Sequence, residues 1–279
     1  MPERRTTILV GDRNVLSTVR PAPTDGDRFE LVLRGAHRGP DALAAAVAAS
    51  RPDAAVVFNP RPGEGEALAR AGLPVAAWLT PPSPAPADRA DLAPFTLLIA
   101  TDPQTAARAG AEKWMLMARP VSDDLFVESP NFESIERAFF DGSASERRDR
   151  FLQPVKHRFD VLHLISGASH TQLRGLMGRC QIAIDLHSEA DIPARDRIGP
   201  ALAAGLLVLA ESPFEQPGLL GREHLLTFSN PDELELLISD ALAEAASFSQ
   251  IRSAGRAAAE QRRSSVVLPR LADELLASA

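Results

Sequence analysis

Two arginines flank an aspartate at Arg195, Asp196 and Arg197, directly ahead of the apolar stretch "IGPALAAGLLVLAES" (198–212). The segment predicts a helix over 195–204, stopped by Gly205, and then a buried strand over 206–211. The first N–H groups of a helix have no partner within it, and the helix dipole adds partial positive charge at that end. Arginine forks beside them suit phosphate oxygens. The chemistry on offer is therefore the holding of an anion. The plainer reading of the same three residues is a solvated turn. Pro200 costs nothing in a first turn, where its missing N–H would be unbonded anyway, so the helix begins nearer Ile198 than Arg195.

Such a segment needs a scaffold, and the chain supplies one almost from end to end. Apolar runs with strand character fall at 6–11, 29–35, 53–60, 74–80, 95–102 and 113–120, and again at 134–142, 159–167, 181–188, 206–211 and 224–229. Helical patterns separate them. Asp102 and Pro103 open one helix, and Asn230, Pro231 and Glu233 open another. Ser169 and Gln172 form a capping-box pattern at the start of a third. The last forty or so residues read as helical, interrupted by "SSVVLP". Strands that are apolar throughout, alternating with helices, imply parallel sheets covered on both faces. The pattern restarts near residue 130, which favours two doubly wound domains over one very wide sheet. The expected division is 1–125, then 130–262, with a C-terminal helix over 263–279 packing back on the first domain.

In open α/β sheets, ligands sit beyond the carboxyl ends of the strands, and with two such domains the natural site is a cleft between them. This selects Gly11, Asp12 and Arg13 after the first strand. In the second domain it selects Gly142, Ser143, Gly167, His187 and Glu211. His170, at a helix start beside the same edge, is a further cleft candidate, with a plain capping-turn role as its alternative. Asp185 and His187 lie on one side of their strand, and only the terminal His187 reaches the edge.

Bulk properties narrow the function classes. The 279 residues are 45% hydrophobic and 24% charged, with a formal net charge of −7. That balance argues against a nucleic-acid or anionic-membrane partner. A single cysteine, Cys180, excludes an internal disulfide and suits a reducing, cytoplasmic compartment. The apolar run near the N-terminus is too short for a signal-peptide core, and no stretch is long enough for a membrane span. No His, Cys, Asp or Glu spacing matches a metal site, and the P-loop, dinucleotide and nucleophile-elbow glycine patterns are absent. No cofactor is expected.

The run "FFDG…RRDRFL…VLHLISG…IAIDLHS…RDRIGPALAAGLLVLAES…HLLTFSNPDELELLI" resembles the C-terminal half of CgeB-like glycosyltransferases, relatives of the family-4 retaining enzymes with GT-B architecture. "ARPVSDDLF" (118–126) resembles the passage with which such proteins cross between domains. The resemblance covers roughly residues 95–260, in order and spacing more than in any one motif. It implies a GT-B-like fold, two Rossmann-like domains facing across a cleft. It also implies transfer of a sugar from a nucleotide-diphosphate donor, held mainly by the second domain, to an acceptor on the side of the first.

Carried over by position, the resemblance puts Gly142 and Ser143 by the diphosphate, Gly167 near the base or ribose, and Arg197 facing the phosphates. His187 matches the end of an Asn/Asp-Leu-His-like triplet, and Glu211 completes the donor side. Arg147 or Arg148 could reach the same region, with a solvated helix face as the plainer role. Pro200 stands where the family carries a glutamate. That departure keeps open a catalytically silent partner or scaffold, and no catalytic residue is singled out.

Overall fold

The structure, a computed structural model, describes residues 6–12, 16, 19, 28–37, 39–80, 89–110, 114–126, 137–165, 170–187, 198–214, 216 and 218–278, apart from the side chains of 89, 90, 104, 108 and 170. The chain forms two compact units, Met1–Asp123 with Arg263–Ala279, and Asp124–Arg262.

The first unit is built on strands β1 (Thr7–Gly11), β2 (Phe29–Leu33), β3 (Ala54–Phe58), β4 (Val75–Leu79), β5 (Leu97–Ala100) and β6 (Met115–Leu116). Helices α1 (Pro40–Ala49), α2 (Glu64–Ala69), α3 (Arg89–Leu92) and α4 (Pro103–Arg108) connect them. All six strands are parallel, in the order β2-β1-β3-β4-β5-β6. Both faces are covered, which is why the strands read as continuous apolar runs. Ile8, Val10, Ala55, Val57, Ala77 and Leu79 pack with Leu43, Ala44 and Val47 of α1. Their alternates, Leu9, Ala54, Val56, Phe58, Ala76 and Trp78, face the other way. Asp102 caps α4 by accepting from the Thr105 N–H at 2.9 Å, the role its place before Pro103 predicts. The strand expected over 113–120 shrinks to the two residues of β6, because only Met115 and Leu116 pair with β5, at its Ile99 and Ala100 end.

The second unit has strands β7 (Arg137–Asp141), β8 (Asp160–Leu164), β9 (Ile182–Asp185), β10 (Leu207–Glu211) and β11 (Leu226–Phe228). Its helices are α5 (Glu146–Arg158), α6 (His170–Met177), α7 (Ile198–Ala203), α8 (Pro231–Ala243) and α9 (Ser249–Glu260). The five strands are parallel in the order β11-β10-β9-β7-β8. One face packs Phe140, Ile184, Leu209 and Phe228 against Leu152 and Val155 of α5 and Leu234 and Ile238 of α8. Asn230 caps α8 through the Glu233 N–H at 2.9 Å, and the Glu233 carboxylate accepts from the Ser229 N–H at 2.7 Å. Pro200 is the third residue of α7 and lies in its first turn.

The chain then returns to the first unit as α10 (Ser264–Ala277). The expected interruption at "SSVVLP" does not occur: residues 264–269 are the first half of this helix. Leu268, Leu271, Ala272 and Leu275 recur at helical spacing and complete the core beneath Leu9, Val56 and Trp78. That burial outweighs the strand preference of Val266 and Val267. The helix start is held by Asp123, whose carboxylate accepts from the Ser265 N–H at 3.0 Å and its hydroxyl at 2.5 Å.

Each sheet has a topological switch point, where the chain leaves one strand for neighbours on opposite sides. It lies between β1 and β3 in the first unit and between β7 and β9 in the second. Crevices for ligands in such folds open at the carboxyl ends of these strands.

Candidate anion-binding site

At the second unit's switch point, β7 ends in Asp141 and runs through Gly142 and Ser143 into Ser145, the N-cap of α5. The Ser145 side chain accepts from the Arg148 N–H at 3.3 Å, so the first turn of a thirteen-residue helix opens at the strand end. Two successive arginines stand in that turn and do different things.

Arg148 is turned inward and is only 1% exposed. Its Nη1 donates to the Ser143 carbonyl at 3.0 Å and the Ser143 hydroxyl at 2.9 Å. Its Nε donates to the His187 carbonyl at 3.1 Å, and its Nη2 to the Leu186 carbonyl at 3.3 Å. The guanidinium also lies over the Phe140 ring, 5.6 Å from its centroid. One side chain thus ties the end of β7 to the end of β9. A planar fork of fixed donors can do this and a lysine cannot.

Arg147 is partly exposed and is held from below by Glu211 at the end of β10. Its Nη1 donates to Glu211 Oε2 at 3.0 Å and its Nη2 to Oε1, a two-pronged pair. Its Nη1 also donates to the His187 carbonyl at 3.3 Å. The buried Glu211 carboxylate accepts from the His187 N–H as well, at 2.9 Å. The result is a guanidinium fixed at a helix N-terminus, beyond the carboxyl ends of parallel strands. That arrangement suits a phosphate-sized anion.

The structure therefore brings Ser143, His187 and Glu211 together around Arg147 and Arg148, with Gly142 adjoining. The Gly142 carbonyl is engaged by His163 Nε2 at 2.8 Å, and His163 Nδ1 lies 2.9 Å from Lys156 Nζ. His163 is thus a satisfied histidine, and the His187 side chain is itself buried. The solvated-face reading of Arg148 is overturned, because the first turn of α5 directs it at the strand ends. Gly167, Arg197 and Arg13 lie outside the described residues, as does the side chain of His170 at the start of α6. Gly11 and Asp12 belong to the first unit, where the Asp12 carboxylate meets Arg34 at 3.1 Å and Arg61 at 3.3 Å. Neither Arg34 nor Arg61 stood out in the sequence.

Two other residues with chemical potential are packed away. Trp78 is fully buried and stacks on Phe58, with centroids 5.4 Å apart. Burial pushes the Cys180 thiol up to about 11. Among the described residues, no group of three or more His, Cys, Asp or Glu side chains could hold a metal ion. Among the same residues, no helix is long and apolar enough to cross a membrane.

No family model and no curated protein matches the sequence. Solved structures do match the fold. Anabaena Alr3699/HepE in complex with UDP-glucose superposes with a TM-score of 0.65 at 15% identity, over 99% of this chain and 100% of that one. A glycosyltransferase from Rickettsia africae ESF-5 gives 0.59 at 10% identity, over 99% of both chains. AviGT4, a glycosyltransferase involved in avilamycin A biosynthesis, gives 0.60 at 12% identity, again over 99% of both. At these identities the likeness establishes the fold: two parallel-sheet, Rossmann-like units of GT-B type.

Proposed function

We propose that this chain is a nucleotide-sugar-dependent glycosyltransferase whose second unit binds the donor diphosphate at the β7/β9 switch point. The observation that carries the reading is Arg147, presented at the N-terminus of α5 by the buried Glu211 carboxylate. In glycosyl transfer the leaving nucleotide diphosphate gains negative charge as the glycosidic bond breaks. A pre-aimed guanidinium and the free N–H groups of a helix start stabilise that charge where it develops. Arg148 and Glu211 are positioning residues in this reading. They fix Ser143, the His187 backbone and Arg147, and Gly142 leaves the backbone close to the ligand. Gly167 and Arg197 join the donor side through the resemblance, as does the finer kinship with CgeB-like enzymes.

The fold supports this reading because a neighbour of the same architecture, Anabaena Alr3699/HepE, was solved with UDP and with UDP-glucose. UDP is accordingly the first nucleotide to try. The alternative of a silent scaffold rests on Pro200 alone and is not favoured. The single cysteine and net negative charge go with a cytoplasmic location and with no nucleic-acid partner.

The test is a thermal-shift screen with UDP-, GDP- and dTDP-sugars, followed by Arg147→Ala. At least one nucleotide sugar should stabilise the protein, and the substitution should remove the shift. Absence of any shift at millimolar ligand sinks the proposal. A shift that survives in the variant removes Arg147 from the site.

A further inference from the structure

His163 interrupts the apolar run of β8. It stands opposite Phe140 of β7 in the parallel register, and its ring tilts against the Phe140 ring with centroids 4.9 Å apart. An apolar side chain would pack there as well. What the imidazole adds is its two nitrogens. Nε2 lies 2.8 Å from the Gly142 carbonyl, and a carbonyl only accepts, so Nε2 carries the proton. Nδ1 lies 2.9 Å from Lys156 Nζ on α5, and an ammonium only donates, so Nδ1 is bare. These two neighbours leave the ring one state: neutral, with its proton on Nε2.

That state settles the direction of a peptide group. The Gly142 N–H donates to the Leu164 carbonyl at 2.9 Å, so both polar groups of Gly142 are engaged by β8. The Gly142–Ser143 bond is trans, so its N–H points away from its carbonyl. Because β7 lies between β8 and β9, the Ser143 N–H is aimed at the β9 side, across the switch point. The Ser143 carbonyl agrees: it meets Arg148 Nη1, and the same guanidinium holds the Leu186 and His187 carbonyls beyond β9. Among the described residues, nothing accepts from the Ser143 N–H. Ser143 is exposed, and Arg147 follows it in the first turn of α5. A backbone donor fixed from behind, beside a fixed guanidinium, is a contact for an anion.

We infer that His163 is a positioning residue for the donor diphosphate. Its Nε2–H, set by Lys156, holds the Gly142–Ser143 peptide so that the Ser143 N–H faces a phosphate oxygen. The inference rests on the sugar-transfer reading above and adds to it a relay running from Lys156 through His163 to Gly142.

Calorimetric titration of the full chain with UDP, GDP and dTDP tests this, at mildly alkaline pH where a free imidazole is neutral. At least one nucleotide should bind the parent. His163→Phe keeps a ring against Phe140 but donates nothing, and should weaken that nucleotide about tenfold or more. His163→Gln, whose amide donates from the place of Nε2, should stay within about threefold of the parent. A side chain that only filled space would give the reverse order, since phenylalanine is the closer match in shape. Nitrogen NMR of isotope-labelled histidines should show His163 as the Nε2–H tautomer, and should show a share of the Nδ1–H form in Lys156→Met. The role is refuted if His163→Phe binds as tightly as the parent, if the parent holds the Nδ1–H tautomer, or if His163→Gln binds at least tenfold more weakly than the parent. The last two readings decide the matter even if the phenylalanine variant does not fold. An unchanged tautomer in Lys156→Met removes the lysine from the relay. Binding of none of the three nucleotides by the parent removes the transfer reading and this role with it, whereas binding that ignores His163 removes the role alone.

Discussion

Arg147 and Glu211 are 64 positions apart in the chain, yet they meet as a two-pronged ion pair whose carboxylate is buried and whose guanidinium is not. The asymmetry matters. The carboxylate also holds the His187 N–H at 2.9 Å, so removing it loosens a strand end as well as an arginine. Glu211→Gln should lower stability by ~1–3 kcal/mol in urea denaturation, because it strips the charge from a buried, fully engaged acceptor. It should also weaken UDP binding. An unchanged denaturation midpoint would show that the pair is an ornament of the fold.

Arg148 should be the more sensitive of the two arginines to replacement. Arg148→Met takes the Arg148 donors from the carbonyls of Ser143 and Leu186 and leaves the His187 carbonyl with Arg147 alone. A cost of ~1–3 kcal/mol is expected for depriving buried acceptors of a charged donor. Arg148→Lys should recover little of it, since one ammonium cannot reach acceptors on both strand ends. Full recovery by lysine would contradict the geometric account.

Two glycines should respond in opposite directions to alanine. A Cβ at Gly255 in α9 would lie 2.5 Å from the His224 carbonyl oxygen and 2.7 Å from Leu202 Cδ2 of α7. Backbone cannot yield as a side-chain tip can, so Gly255→Ala should cost ~1–3 kcal/mol. Gly175, within α6, has nothing within 4 Å of the same position. Gly175→Ala should stabilise by ~0.5–1 kcal/mol through helix propensity. Paired melting curves of the two variants check the contrast.

The Cys180 thiol gives a pH signature. Desolvation raises its pKa from 9.0 to about 11 in the folded chain. Between those values the unfolded chain has lost the proton and the native chain keeps it. The unfolded state then binds fewer protons, so stability falls as pH rises through that window. Below it the stabilising contribution is fully present. Cys180→Ala should flatten the alkaline limb of a stability-versus-pH curve, and thiolate absorbance in the native protein should appear late in an alkaline titration.

Much of the scaffold could be read from residue order because its causes are local. Asp102 and Asn230 cap the helices their spacing predicts, and strands buried on both faces announce themselves as apolar runs. The strand ends around Ser143, His187 and Glu211 followed from one rule about parallel sheets. The arginines that organise them did not. "SERRDR" reads as a solvated helix start, and only the distance to carbonyls some 40 positions away turns Arg148 inward. Arg34 is hidden in the same way, for Glu64 lies 30 positions downstream on another element. At "SSVVLP", local preference pointed to a break, while the deciding partners Leu9, Val56 and Trp78 lie at the far end of the chain.

The first unit is discontinuous: its last helix arrives only after the whole of the second unit has been laid down. During synthesis, the face of β1, β3 and β4 that meets α10 lacks that helix until the whole inserted unit has emerged. A nascent chain stalled before Ser264 would therefore lack the α10 side chains that pack on Leu9, Val56 and Trp78.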